Sequence, residues 1–370
     1  MTPTNLVPVL DLNPLPAPYW VFKLLLLLTF FLHLLAMNAM LGGAVLAVAA
    51  RFASKDRAHG NRVFFDVAKK IPSLLPATVT LGIAPLLFLQ VIYGQFFYTS
   101  SVVMAWPWFS VLVMLTIAYY GFYYVSYRGG KDPGRAGWVM LVSTLLITAI
   151  GFIYSNNITL SMNPDRWAAK YFAHPNGLNL NLTEPSLFPR FLHFFVAAIA
   201  VGGLLLVFMA LANWKRDNDY ARRLLYYGGK TFTFATMAQF VVGIVFLMSL
   251  PRDMVMLFMG GNPLASGLMV FGIVASAVAI VIMSKAVRTA NIRAAAVHVP
   301  AITAIVIGSM VVMRDILRDA YLKPWFHPEQ FTVKTQWTVL PLFLVLFVAG
   351  VALWLVMMWR FFKAKGTSAS

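Results

Sequence analysis

Phe188-Pro-Arg-Phe-Leu-His193-Phe-Phe-Val-Ala-Ala-Ile-Ala-Val-Gly202-Gly203-Leu-Leu-Leu-Val-Phe-Met-Ala-Leu-Ala212 is the stretch that decides the fold. From Phe191 to Ala212 it carries no formal charge. A helix rises 1.5 Å per residue and the hydrocarbon core is ~30 Å thick, so ~20 such residues cross a bilayer. A core helix of a soluble protein would show a polar stripe, and none is present. Reading outward from this run, eight more apolar stretches appear, which predicts nine spans at roughly 20–50, 73–97, 103–127, 136–156, 188–212, 231–250, 265–286, 296–316 and 337–362. The first and last exceed the bilayer, so they tilt or project beyond it. The expectation is an all-α, polytopic membrane domain over 20–362, without a soluble domain and without a repeat of 20–50 residues.

Composition agrees. The chain has 370 residues, 60% of them hydrophobic and 11% charged, and its mean hydropathy is +0.77. Soluble domains carry about 25% charged residues. The absence of cysteine excludes disulfides, iron–sulfur clusters, thiolate zinc sites and covalently attached haem. Any metal or haem must be held by His, Met, carboxylates or backbone. The net charge of +17 does not point to nucleic acid, because the basic residues sit in short loops rather than in a basic–aromatic stripe. There they set membrane orientation and meet anionic lipid.

Lys and Arg divide unevenly along the chain. Twenty follow the odd-numbered spans and 8 fall on the N-terminal segment or after the even-numbered spans, with Lys23 counted in neither set. The positive-inside rule then puts the N-terminal segment 1–19 outside and the tail 363–370 in the cytoplasm. No cleavable leader is expected, since the Pro-rich start has no positive region. Tyr19-Trp20 reads as an interfacial aromatic anchor. The long outer loop, about 157–189, is polar and rich in Asn and turn signals.

Polar side chains within spans are costly and therefore mark function. They are His33 in span 1, Gln90 and Gln95 in span 2, His193 in span 5, Gln239 in span 6, and the Arg314-Asp315 pair in span 8; no Glu lies in a span. His193 is about one turn inside the outer end of span 5 and is followed by the small residues Ala197 to Gly203, against which a flat macrocycle or another helix can pack. Met269, in Gly267-Leu-Met-Val-Phe-Gly272, begins span 7 at a similar depth. His193 and Met269 are candidate axial ligands of a low-spin haem b, a pair that raises the potential. The alternatives are a hydrogen-bonded His and a Met that fills the core. His33 lies ~15–20 Å down span 1, deeper than His193. It is either the ligand of a second haem or a packed His. His59, His174, His298 and His327 read as solvated or interfacial.

With these residues in place, the chain resembles subunit I of the cytochrome bd-type quinol oxidases, over about residues 20–360 and by order and short motifs. That family has nine spans with the N-terminus outside, built on four-helix bundles. It has a His on span 1, a His near the outer end of span 5 and a Met near the outer end of span 7, matched by His33, His193 and Met269. Glu184-Pro-Ser-Leu-Phe-Pro-Arg-Phe-Leu-His193 is similar to the family's Lys-Phe-Val-His stretch, and Ser155 to Pro164 to its Asn-Gly-Trp-Met-Gln-Asn-Pro stretch. The basic residues around Lys215 and Arg222 match its short basic loop. Asp315-Ile-Leu-Arg318 is similar to its Glu-x-x-Arg, whose Glu binds haem, so the resemblance makes Asp315 a candidate iron ligand; the alternative is a salt bridge to Arg318. Two stretches depart from the family. Gly82-Ile-Ala-Pro-Leu-Leu-Phe-Leu-Gln90 has no carboxylate where the family has one, and the segment Pro251 to Leu264 is too short for a quinol-binding loop.

The resemblance, with these departures, implies a membrane subunit of a quinol/quinone oxidoreductase complex that is not an oxygen reductase on its own. It would carry one or two haem b groups and link the quinone pool to a c-type cytochrome or other periplasmic redox partner, with room for a second membrane subunit, in the bacterial inner membrane. Arg190, Arg314 and Arg318 are candidate partners of the haem propionates, because guanidinium forks match carboxylates. Quinone would lie near Gln90, Tyr93 or Gln95. The alternatives are a divergent bd-type terminal quinol oxidase and a haem-free membrane scaffold.

Overall fold

The computed structural model describes residues 14–364. The first 13 residues of the N-terminal segment and residues 365–370 of the tail lie outside that range. Among the described residues nine helices are long and apolar enough to span a membrane. They are α1 (Tyr19–Ala53), α3 (Ile71–Val103), α4 (Ala105–Arg128), α5 (Pro133–Ser161), α7 (Leu187–Asn213), α8 (Asn218–Met248), α10 (Pro263–Thr289), α11 (Val299–Leu322) and α12 (Val339–Ala364). Three short helices join them: α2 (Arg57–Ala68), α6 (Trp167–Ala173) and α9 (Arg252–Met256). Among the described residues there is no strand beyond a single bridge between Leu15 and Val333.

Each predicted span has its helix, and the differences lie at the ends. α8 starts at Asn218 rather than near 231, because Asp217 caps it by accepting the Tyr220 N–H at 3.1 Å and its polar first turns continue as helix beyond the apolar run. Asp56, Asp132 and Asn262 start α2, α5 and α10 in the same way, with Pro at the first position of the latter two. Several Thr and Ser inside the spans return their hydroxyls to carbonyls one turn back, as Thr29 does to Leu25 at 2.6 Å and Thr116 to Leu112 at 2.8 Å, which satisfies those donors within their own helix.

The long helices form two sets of four. α1, α3, α4 and α5 pack together, and α7, α8, α10 and α11 follow one another in a second set, with α1 against α7 joining the two. The seam is made by glycine. A Cβ at Gly42 would sit 1.8 Å from the Ala198 carbonyl oxygen, and one at Gly203 would sit 2.6 Å from that of Gly228. Backbones here approach as closely as small residues allow. α12 stands at the edge, where Leu340 and Phe347 touch the start of α1 and its other face is left to lipid.

The segment 157–189 is a folded cap. The Asn156 side chain accepts the Asn181 N–H at 2.9 Å, Asn179 donates to the Val103 carbonyl at 2.9 Å, and the Trp167 indole donates to the Leu160 carbonyl at 2.8 Å. The opposite end of the bundle carries α2. Arg62–Asp217 and Arg223–Asp56, each at 2.7 Å, clamp α2 to the turn before α8 across a cleft of about 300 Å³. His59 stands in that cleft between Tyr220 and Tyr227. Burial, and then Arg223, hold its imidazole below the usual value.

Candidate functional site

The end of the bundle that carries Tyr19 gathers the candidate residues. Two clusters form there, one on each side of α11.

The first is ionic. Asp315 and Asp319, one turn apart on α11, face Lys23 of α1. Lys23 lies 2.9 Å from Asp315 and 2.7 Å from Asp319, and Arg318 donates to Asp315. The Tyr93 hydroxyl donates to Asp319 at 2.6 Å and meets the Tyr19 hydroxyl at 3.2 Å. A kink in α3 at Tyr93 (φ −129°, ψ 26°) brings that ring in, and Arg318 stacks over it at 4.1 Å. Two cations and two carboxylates thus balance, and both aspartates and the Arg318 Nη2 are engaged with other groups of the chain, while the Arg318 Nε is buried without a hydrogen-bond partner. Lys23 and Asp319 were not among the sequence candidates. The i, i+4 spacing of Asp315 and Asp319 was the available signal, but a partner on α1 cannot be read from spacing on α11.

The second cluster is unsatisfied. One turn separates Arg190 from His193 on α7. The Nε and Nη2 atoms of Arg190 and the Nδ1 atom of His193 are buried and have no hydrogen-bond partner. Phe246 of α8 lies beside both, 4.9 Å from the Arg190 guanidinium and 6.1 Å from the His193 ring. Gln239 of α8 donates to the His193 carbonyl at 2.7 Å and so fixes that turn of α7. Met269 of α10 packs with Phe246 around Leu250, Phe258, Ala265 and Leu317. His193 and Met269 therefore share a neighbourhood through Phe246. α7 packs extensively on α8 and α1 but not on α10 or α11, so the interior between α7 and the α10–α11 pair is the loose part of the second set. A Cβ at Gly272, one turn beyond Met269, would meet nothing within 4 Å.

Arg314 of α11 lies with its guanidinium 4.3 Å from the Phe30 ring and makes no ion pair among the described residues. Its charged neighbours include Arg318, Arg190 and Asp315. A water-sized cavity of about 10 Å³ lies beside it, lined by Leu26, Phe30 and Val311 among others. His33 of α1 packs against α3. Its Nδ1 is 3.0 Å from the Thr78 carbonyl of α3, and the ring fits over Gly82, where a Cβ would be 2.8 Å from Cε1. A carbonyl only accepts, so Nδ1 carries the proton and Nε2 keeps its lone pair. Gln95 keeps a buried, unpartnered Oε1, while Gln90 accepts from Tyr98 at 3.2 Å. Among the described residues no group of three or more His, Asp or Glu forms a metal-ion cage.

No family model matches this chain, and no curated protein matches it by sequence. Its shape does match. A chain in the structure of bd oxidase from Geobacillus thermodenitrificans superposes with a TM-score of 0.76, over 95% of this chain and 100% of that chain, at 12% sequence identity. At that identity the likeness is one of fold, and the nine-helix architecture expected from the sequence is that of a bd oxidase chain.

Proposed function

We propose that this protein is a haem b-carrying membrane subunit that passes electrons between the quinone pool and a periplasmic redox partner such as a c-type cytochrome. The observation that carries the reading is the unsatisfied cluster. Arg190 and His193 present buried, unpartnered polar atoms on one turn of α7, at the loose interior that also borders Met269.

The residues fit the group. His193 offers an imidazole nitrogen and Met269 a thioether, the two ligand types of a high-potential haem. Charge fits as well. Within the spans at this end, Lys23, Arg190, Arg314 and Arg318 face Asp315 and Asp319, which leaves two cations, Arg190 and Arg314, without a carboxylate. An uncompensated guanidinium in a membrane interior is costly, and haem b brings two carboxylates. Arg318 is the weakest of the three propionate candidates, because its Nη2 already donates to Asp315, although its Nε is buried without a hydrogen-bond partner. His33, with Nδ1 anchored by Thr78 and Nε2 free, is prepared for a second haem in the way that metal-binding histidines are oriented by a carbonyl behind them. For Asp315 the ion pairs to Lys23 and Arg318 support the salt-bridge role over ligation.

When bound, the haem supplies one-electron transfer. The chain's own residues hold it near the outer face, keep its carboxylates neutralised, and exclude water through Phe246 and the apolar group around Met269. The positive-inside orientation places this end outside the cell, where a c-type cytochrome would dock; a second membrane subunit, lipid and quinone complete the expected partners. The test is a pyridine haemochrome spectrum with haem quantified per chain. The expected value is one or two, and His193→Ala removes the low-spin bands while the protein still inserts. A purified protein with no haem absorbance and no iron refutes the proposal.

A further inference from the structure

Tyr321 lies one turn beyond Arg318 on α11 and packs in the same apolar group as Phe246, whose ring lies 4.9 Å from the Arg190 guanidinium of α7. Its hydroxyl is buried and, like Nε and Nη2 of Arg190, has no hydrogen-bond partner. These atoms come from two helices that do not pack extensively on each other. The nearby carboxylates have other roles. Glu184 is held by Arg166 at 3.0 Å and by Ser186 at 3.0 Å, and Asp315 by Lys23 and Arg318. Asp253, the other carboxylate in the field of Tyr321, makes no ion pair with Arg190. Buried polar groups in native proteins are satisfied, so a set of unpartnered donors at one place calls for an acceptor from outside the chain.

We infer that Arg190 and Tyr321 form a two-helix site for a single oxyanion, a carboxylate or a phosphate. Resting on the haem reading above, the occupant is one porphyrin propionate, with the guanidinium supplying charge and two N–H groups and the phenol supplying a third donor. The site closes the gap between α7 and α11 when it is filled. A porphyrin carboxylate and a phospholipid headgroup share this chemistry, and the two are separable.

The experiment compares wild type, Tyr321→Phe and Arg190→Lys, each stripped of haem in detergent. Each is reloaded with haem b or with its dimethyl ester, in which both carboxylates are blocked. The readouts are the rate of haem loss to a scavenger protein and the propionate bending mode in resonance Raman spectra. Loss of one hydrogen bond to a charged group corresponds to about tenfold or more, so Tyr321→Phe releases haem b about tenfold faster and shifts that mode. The dimethyl ester leaves wild type and Tyr321→Phe at the same rate. Tyr98→Phe, which removes an exposed hydroxyl, changes neither. Equal acceleration for haem b and its ester would show a packing role and overturn the inference while leaving the haem reading intact. Haem release that no variant alters, together with a phospholipid adduct in native mass spectra that Arg190→Lys and Tyr321→Phe both lose, would overturn the propionate assignment in favour of a lipid phosphate. A protein that binds neither haem nor phospholipid would overturn both this site and the proposed function.

Discussion

Replacing Gly42 by alanine tests the seam on which the architecture depends. The new methyl group would lie 1.8 Å from the Ala198 oxygen and 2.8 Å from the Gly202 nitrogen. Real Cβ contacts do not fall under 3.0 Å, so α1 and α7 must part by at least the 1.2 Å between 1.8 and 3.0 Å. Both obstructing atoms are backbone, and no rotamer change relieves them. Overpacking of this kind costs about 1–3 kcal/mol, and more where rigid elements must move. The separation also loosens the contacts of Met40, Leu41 and Ala44 with the α7 face, all buried. Gly350→Ala on α12 is the matched control, because its methyl group meets nothing within 4 Å. There alanine gains helix propensity, up to about 1 kcal/mol. The same chemical change should therefore have opposite signs at the two sites, with a gap of roughly 2 kcal/mol or more. The assay is the apparent melting temperature in detergent, from the folded fraction that survives heating and size-exclusion chromatography. A Gly42→Ala protein that melts with wild type, or a Gly350→Ala protein that falls as far, would refute backbone contact between α1 and α7.

Lys23→Met leaves Asp315 with Arg318 alone and the half-exposed Asp319 with Tyr93 alone, and should destabilise the protein by about 1–3 kcal/mol; Lys23→Arg should recover most of the loss in the same melting assay. Asn156→Ala strands the buried Asn181 N–H, a cost of about 1–3 kcal/mol, and should open the 174–182 segment to limited proteolysis before the helices melt. The α2 clamp should weaken with acid in two stages. His59 is held below its ordinary value of about 6.5, so the unfolded form binds the extra proton and stability declines as pH falls from there; His59→Gln removes that stage. Asp56 and Asp217 are held below the usual carboxylate range, first by the N–H groups of His59 and Tyr220 and then by Arg223 and Arg62. Their contribution is complete above about pH 4 and is lost as pH drops through the lowered values. Hydrogen exchange of α2 across pH 3–8, with a flat profile as the contrary result, checks both stages.

The site was legible in unequal parts. His33, His193, Arg314 and Asp315 were visible because polar residues are rare within apolar runs, and each such residue is conspicuous; Arg190 entered as a candidate propionate partner. Met269 was not conspicuous among 19 methionines and depended on order along the chain. Tyr321, Phe246 and Lys23 were opaque for different reasons. Aromatic residues are common in this chain, and Lys23 lies near the predicted membrane boundary, where a lysine snorkels to water and signals nothing. What made them meaningful was the residue opposite each one. Arg318 shows the same limit in reverse, since its sequence context suits a propionate while Lys23 and Asp315 together occupy its surroundings.

The sequence by itself determined nine membrane crossings and their order, because a bilayer requires each crossing to satisfy its backbone locally and to present apolar side chains, and both demands are written along the chain. Which helices touch was decided only in three dimensions. Lipid is as apolar as the helices, so pairing is set by close approach at Gly42, Gly202, Gly203 and Gly228 and by charges that find each other across 200 or more residues, as Lys23 and Asp319 do at a separation of 296. Those same contacts left Arg190, Tyr321 and His193 with no partner, a property of the packed bundle that no single helix carries.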